Sequence, residues 1–457
     1  MIKFYNSLTH RKEEFVPIEE GKVSFYTCGP TVYDFSHIGN FRTFLFEDLL
    51  KRVLLAFDYK VHHVMNITDV DDKTIKKANE ENKDLKEITA KYTDAFLKDL
   101  KSLRILDADN YPRATEHINE MIEIIKILIE REFAYVTKEG SVFFKISKYP
   151  NYGKLVNLSN STTISEAQLS DEYDVDSFND FALWKSYKSE DGKVFWDSPW
   201  GKGRPGWHIE CSAMSTRYLG AHFDIHCGGV DNKFPHHENE LAQSVCALDS
   251  SFVNFWLHSE FLTIEGKKMS KSLNNFYIIS DLIENGFSYE DFRFIVLSAH
   301  YRSKVNFSLK RKNEAKSAIS RIEEVRQRLL DVTKNVSQFL PKEATDFNEA
   351  LKDDLDTPKA LAIFFNWLRL TNQLIDKKSL SKDQAEMGNA FINHFDSIFA
   401  ILDGEYKLPE EIQSLVNRRQ NYRNNKEWEK SDIIRDKLLS LGWKLKDTPS
   451  GTKVIKI

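Results

Sequence analysis

The chain has 457 residues, 64 Lys and Arg against 69 Asp and Glu, and a formal net charge of −5. At ~150 residues per domain that length suggests about three domains. A hydrophobic content of 41% with 32 Phe and 8 Trp excludes global disorder, and 18 Gly with 11 Pro exclude collagenous or turn-dense all-β chains. Met1 to Glu14 contains no apolar stretch of the secretory kind. Apolar runs such as Leu361 to Phe365 are far short of the ~20 residues of a membrane span. A cytoplasmic protein with no membrane segment is expected. The 4 cysteines, Cys28, Cys211, Cys227 and Cys246, form no Cys-x-x-Cys and no dense framework, which fits a reducing compartment.

Val23 to Cys28 reads as a strand ended by Gly29-Pro30. Leu45, Leu49 and Val53, with Phe46, Leu50 and Leu54, then repeat at helical spacing. Lys60 to Ile67 reads as a second buried strand, completing a βαβ unit. A parallel sheet with a ligand at its strand C-terminal ends follows. Residues 70–130 look helical and charged, and 135–200 mixed, aromatic and turn-rich. A second α/β stretch runs from Gly206 to Leu262, with Phe223 to His226 a short strand. From Ser308 onward Ile319, Ile322, Val325, Leu329 and Val332 mark an amphipathic helix, and Leu361 to Ile375 another. Residues 341–345 and 404–409 look like joints. An α/β body followed by a helical C-terminal third is expected. Residues 404–457 and 261–312 each carry a net charge of +4 in a chain of −5. Local basic groups of this kind can serve nucleic acid, although such an excess is also ordinary surface.

Three constellations carry chemistry. Pro30 to Asn40 lies between a strand end and a helix start, where free N–H groups suit phosphate; it holds His37, Gly39 and Asn40. Lys267-Lys268-Met269-Ser270-Lys271-Ser272 offers ammonium groups and hydroxyls for a triphosphate. The third joins Gly206-Trp207-His208-Ile209-Glu210-Cys211 with Phe234-Pro235-His236-His237-Glu238-Asn239-Glu240. Pro235 suits a helix start, and His236 and Glu240 then share one helix face. With Cys28 and Cys211 they would make a four-ligand Zn2+ site drawn from distant segments, although spacing alone does not prove it, since no compact zinc-finger pattern exists. A zinc-protease motif fails, because position 241 is Leu.

Together these segments resemble the cysteinyl-tRNA synthetases, a class I aminoacyl-tRNA synthetase family. The likeness continues in Tyr26 to Asp34, Asn66 to Asp72, Asp180 to Trp184, Gly203 to Met214, Asp353 to Pro358, Arg435 to Leu438 and Gly451-Thr452. It departs at Asn40, where the family's motif has a second His, and at Asn274, where a Gly usually follows Leu273. The resemblance implies a Rossmann-like parallel-sheet catalytic domain with an insertion, then an all-α helical bundle and a small anticodon-binding domain. The implied boundaries are 1–120 and 200–265 for the two catalytic halves and 121–199 for the insertion. The signature loop and stem-contact region takes 266–312, the bundle 313–403 and the anticodon-binding domain 404–457.

The implied reaction joins L-cysteine to ATP (with Mg2+), giving cysteinyl-adenylate and pyrophosphate, then transfers cysteine to the terminal adenosine of its tRNA. His37 and Asn40 would contact phosphates, Lys268 and Lys271 would stabilise the transition state, and Gly39, Gly228 and Gly229 would let the nucleotide approach. Zn2+ on Cys28, Cys211, His236 and Glu240 would hold the substrate thiolate, with Thr68 and Trp207 lining the cysteine pocket. Arg418, Arg419, Arg423 and Arg435 would meet tRNA, with Trp428 or Trp443 available for stacking. A monomer is expected. The alternative is a cysteine ligase of thiol-cofactor biosynthesis, which shares the catalytic body but lacks an anticodon module. Residues 404–457 disfavour it.

Overall fold

The structure, a computed structural model, describes residues 1–157, 180–269, 275–402, 410–441, 443–448 and 451–456. A polar hairpin opens it: β1 (Lys3–Asn6) pairs antiparallel with β2 (Arg11–Glu14). Then β3 (Lys22–Thr27) and β4 (Lys60–Met65) pair in parallel around α1 (Ile38–Ala56), the βαβ unit that the sequence predicts. Helices α2 (Asp72–Glu81), α3 (Leu85–Ser102) and α4 (Ile118–Glu130) occupy the charged stretch. The insertion is a four-stranded antiparallel sheet of β5 (Ala134–Val136), β6 (Val142–Phe144), β7 (Phe181–Ser186) and β8 (Gly203–Pro205) in sequence order.

The second α/β stretch is α5 (Trp207–Leu219), β9 (His222–Gly229), α6 (Glu238–Leu248) and β10 (Phe252–Ser259). The four central strands run β10-β9-β3-β4, all parallel. Chain progression reverses between β9 and β3. The crevice at their C-terminal ends is therefore a topological switch point, where such sheets bind ligands. Beside it, β11 (Leu262–Ile264) and β12 (Val305–Phe307) pair in parallel around α7 (Ile279–Glu284) and α8 (Tyr289–Leu297).

The bundle consists of α9 (Lys312–Val332), α10 (Glu343–Lys352), α11 (Thr357–Asp376) and α12 (Lys382–Phe399). Asp356 caps α11 by accepting from Lys359 N–H, and Pro358 stands in its first turn, where no N–H is needed. Ile322, Val325 and Leu329 of α9 are buried as their spacing predicts, but Val332 is 44% exposed because the helix ends there. The chain closes with α13 (Glu410–Asn424), α14 (Trp428–Ser440) and the hairpin of β13 (Trp443–Thr448) and β14 (Gly451–Lys456). No helix among the described residues is long and apolar enough to cross a membrane.

Buried side chains form one core joining α1, a sheet face and the bundle, and a second joining α4, α5, α6 and the insertion. A small third core holds Ile412, Leu415, Ile434, Leu438, Trp443 and Leu445. Trp443 is thus spent on packing and is not available for stacking, whereas Trp428 is 58% exposed. Cys227 and Cys246 are buried free thiols. Helix α1 packs against the sheet and also against α8 and α12. Hence both of its periodic apolar faces are covered.

Glu47 sits inside this α1 packing, and neither of its carboxyl oxygens has a hydrogen-bond partner among the described residues. Burial raises its pKa well above 4.5. The unfolded chain releases this proton near pH 4.5 while the folded chain keeps it, so Glu47 lowers stability progressively as pH rises above that value. Glu47→Met is therefore expected to stabilise the fold by roughly 1–3 kcal/mol at pH 5, where the carboxyl is neutral but unpartnered, and by more at pH 8. Unfolding midpoints at the two pH values check this, and an equal gain at both would refute the buried-acid account.

Candidate active site and metal centre

Cys28 follows β3 directly, at the switch point. Cys211 projects from α5, and the segment Lys233–His237 leads His236 into α6, which carries Glu240. The spacing of four brings His236 Nε2 to 3.1 Å from Glu240 Oε1. Cys28 Sγ lies 3.9 Å from Cys211 Sγ and 3.7 Å from Glu240 Oε1. One donor atom from each residue lies within 4.8 Å of the other three, and all four residues are buried.

These separations fit a tetrahedral Zn2+ site. Zn–S bonds of ~2.3 Å place two sulfurs about 3.8 Å apart, and Zn–N and Zn–O bonds of ~2.1 Å place those atoms about 3.4 Å apart. The charges fit as well. Burial would raise Glu240, but His226 and His236 outweigh it and hold the carboxyl down at about 2. A hydrogen bond from Cys28 lowers the Cys211 thiol to about 6 against burial, while burial pushes the Cys28 thiol up. Burial would lower His236, yet Cys211 and Glu240 push it up to about 10. A buried carboxylate and thiolate beside a second thiol are a natural cradle for a dication.

The outer contacts orient the donors. His226 Nε2 lies 2.9 Å from Glu240 Oε2, leaving Oε1 toward the cluster. His208 Nδ1 lies 2.8 Å from His236 Nδ1, leaving Nε2 inward. This is how metal-ligating groups are usually fixed. His237 Nε2 approaches Cys28 Sγ at 3.4 Å, and its Nδ1 pairs with His258, which in turn meets Ser7. Cys28, His226, His237 and Glu240 form a second, overlapping donor set. It has one sulfur against two, so the set with two thiols is the softer of the two donor sets. No motif in the sequence assigns a role to His208, His226, His237 or His258. The one signal was their density around the motifs, since β-register and helix packing, not spacing, bring them together.

His37 caps α1. Its Nδ1 accepts from Asn40 N–H at 3.1 Å, and Asn40 Oδ1 accepts from His37 N–H at 3.0 Å, closing a capping box. Because Nδ1 is an acceptor, the neutral ring carries its proton on Nε2. A Cβ on Gly39 would stand 3.0 Å from Met269 Cε, so this residue lies against the signature segment. Ile38 N–H donates to Tyr277 O at 2.9 Å, which ties the far side of the same loop to α1. Lys268 precedes Met269 here, and its carbonyl accepts from Asn275 Nδ2. Lys271 and Asn274 lie outside the described residues. Gly228 and Gly229 end β9 in the crevice, where a Cβ would meet His237 at 2.7 Å and Asp231 at 2.2 Å respectively.

Thr68 is buried beside the loop that follows Cys28, bonded through its backbone to Pro30 and Val32. The Trp207 ring packs 4.3 Å from that of His236. The four arginines lie on α13 and α14. Arg418 and Arg435 are exposed, Arg423 is half-buried, and Arg419 is only 3% exposed.

The family model for the tRNA synthetases class I (C) catalytic domain matches residues 14–317, and a DALR domain model matches 346–403. The chain is 46% identical over 468 residues to the cysteine–tRNA ligase of Brachyspira hyodysenteriae, covering 99% of this chain and 98% of that one. It is 44% identical over 471 residues to that of Chlamydia muridarum, covering 99% of each chain. Among solved structures it resembles Mycobacterium tuberculosis methionyl-tRNA synthetase bound to methionyl-adenylate, with a TM-score of 0.59, 13% identity, and 83% and 90% of the two chains covered. It also resembles the Agrobacterium radiobacter LeuRS ternary complex, with a TM-score of 0.59, 11% identity and 85% of each chain covered. Those two likenesses establish the fold. The near full-length identity to the bacterial ligases goes further: this chain is a ligase and belongs to the class I cysteine–tRNA ligase family.

Proposed function

We propose that the chain activates L-cysteine with ATP, giving cysteinyl-adenylate and pyrophosphate, and then passes cysteine to the terminal adenosine of its tRNA. The observation that carries this is the buried set of Cys28, Cys211, His236 and Glu240 at the switch point, beside the His37 helix start. Zn2+ held by these residues would supply a soft Lewis acid that prefers a thiolate to a hydroxyl. Apolar pockets discriminate poorly between near-isosteres, so this donor set gives what shape alone could not.

The chain's own groups do the rest. His37 Nε2–H and the Gly39 N–H, which the capping box and the Ile38–Tyr277 bond leave unused, bind the phosphates, and Mg2+ accompanies them. Lys268, with Lys271, stabilises the charge that develops as the substrate carboxylate attacks the α-phosphate and pyrophosphate leaves. Gly228 and Gly229 form the floor for adenosine. Thr68 and Trp207 line the cysteine pocket. Arg418, Arg423 and Arg435 contact tRNA with Trp428, and Arg419 supports that helix from inside.

Asn40 serves by closing the capping box that orients His37. Asn40→Ala removes the side-chain half of that box and is expected to lower the exchange kcat about fivefold, in line with one lost hydrogen bond of ~1 kcal/mol. Asn40→Asp keeps the acceptor oxygen but sets a negative charge near the phosphates, so a larger fall is expected. An Asn40→Ala enzyme with full kcat would dismiss this role.

The test of the whole reading is ATP–pyrophosphate exchange with tRNA omitted, cysteine against serine, and metal content on the same sample. Exchange with cysteine alone and about one zinc per chain is expected. Folded, zinc-loaded protein without exchange would overturn the proposal.

A further inference from the structure

The joint between the bundle and the catalytic body turns on Asp354. This residue stands between α10 and α11 and is fully buried. Its Oδ1 accepts from Tyr5 N–H at 2.8 Å and from the Tyr301 hydroxyl at 2.6 Å. Its Oδ2 accepts from Arg302 Nε at 2.8 Å and from Arg302 Nη2 at 2.5 Å, a bidentate fork. Its own N–H donates to Lys3 O at 2.9 Å. Lys3 and Tyr5 belong to β1, and Tyr301 and Arg302 to the turn between α8 and β12. Stacking stiffens both contacts. The Arg302 guanidinium lies 4.5 Å over the Tyr5 ring, and the Tyr301 ring stacks at 4.5 Å on Phe46 of α1.

Stability alone does not account for this joint. Asp354 and Leu355 are both left-handed, with φ of 62° and 55°, a conformation that costs side chains other than glycine. Such residues persist where their surroundings over-determine them. Ion pairs add little stability at a surface and little over apolar contacts inside. The bundle already packs α12 against α1. What the fork adds is orientation, since two parallel N–H bonds fix an angle as well as a distance. Orientation matters where one ligand must reach two places. The bundle lies in the chain between the catalytic body and the α13–α14 unit. A nucleic acid held by that unit and delivering its end to the switch point gains from both contacts only if the span between them fits.

We propose that Asp354 and Arg302 are positioning residues for the transfer step: their fork sets the bundle against the catalytic body at the angle that lets one tRNA engage the α13–α14 unit and the switch point together. This rests on tRNA being the acceptor and on α13–α14 being its second contact.

The experiment uses the zinc-loaded full chain in three assays: cysteine-dependent exchange with tRNA omitted, binding of the isolated anticodon stem-loop RNA, and charging of the full cysteine tRNA. Asp354→Asn keeps an acceptor for Tyr5 and Tyr301 but turns an amide NH2 toward Arg302, so only the fork is lost. Arg302→Lys keeps the charge but not the fork. In each variant kcat/KM for charging the full tRNA is expected to fall about 10–100-fold. Exchange kcat, the KM for cysteine and the Kd for the stem-loop should stay within about twofold. The double variant should fall no further than the singles. A role in folding alone lowers exchange and charging in parallel, because both then follow the fraction of folded enzyme. A parallel fall, stem-loop binding that weakens as much as charging, or charging within about twofold of wild type overturns the proposal. If Asp354→Asn does not fold, Arg302→Lys carries the same expectations and the same refutations. A wild-type chain that exchanges but neither binds the stem-loop nor charges tRNA would instead fail the reading on which the proposal rests.

Discussion

Cys211→Ser is expected to abolish cysteine activation, lowering exchange by ~10³-fold or more while the protein stays folded. The exchange of sulfur for oxygen is nearly isosteric, so the packing of α5 against α6 changes little. The chemistry changes a great deal. The hydrogen bond from Cys28 holds the Cys211 thiol down at about 6 against burial, so this position readily supplies a thiolate. A serine hydroxyl supplies neither the anion nor the soft donor. Three donors remain, and bound zinc should fall well below one per chain. The measurements are exchange, metal content and an unfolding midpoint on one sample. Full activity with zinc retained would show that the set of Cys28, His226, His237 and Glu240, which omits Cys211, is the one in use. His226→Gln separates the layers further. It leaves all four proposed ligands in place but loosens Glu240, and metal affinity should fall about 10–100-fold.

Legibility in the sequence followed the range of the interaction. The pairing of His236 with Glu240 lies within one turn, so spacing predicts it. The βαβ unit is legible for the same reason, since Leu45, Leu49 and Val53 repeat along one helix. That Cys28 meets Cys211 depends on α5 packing over the end of β3; donor chemistry suggests the pairing and the family resemblance implies it, but no spacing in the sequence establishes it. His226 shows the limit more sharply. Its strand was predicted, but its partner Glu240 follows from the register that sets His226 beside Tyr26 and from the docking of α6. Hairpin β1–β2 has no apolar alternation in Arg11-Lys12-Glu13-Glu14, so no pattern announces it. Trp443 and Arg419 look like surface groups in the sequence, because composition cannot tell an exposed helix face from the inside of a small core.

Asp48→Ala is expected to destabilise the protein by ~3–5 kcal/mol, the usual consequence of leaving a buried charge without its partner. Asp48 lies on α1 with its side chain wholly buried. Its Oδ2 accepts from Arg52 Nε at 2.8 Å and from Arg293 Nη2, and its Oδ1 accepts from Leu106 N–H at 2.8 Å. Arg293, also buried, donates to the carbonyls of Phe399 and Leu103, and Arg52 to those of Ser397 and Arg104. One carboxylate thus joins α1 to α8, to the end of α3 and to the end of α12. Burial lowers the Arg293 guanidinium while Asp48 opposes the shift, so removing Asp48 leaves the cation with carbonyls alone. Replacing Asp48 together with its fully buried partner, Asp48→Leu with Arg293→Met, leaves only the more exposed Arg52 without a carboxylate and should lie closer to wild type than either single. Urea unfolding of the two singles and the double measures the coupling. Single variants within about 1 kcal/mol of wild type would show that the network is dispensable. The same comparison bears on function, because α1 begins at His37. If the α1–bundle joint holds that helix start in place, Asp48→Ala should also lower exchange under conditions where the variant remains folded, and the double variant should recover it.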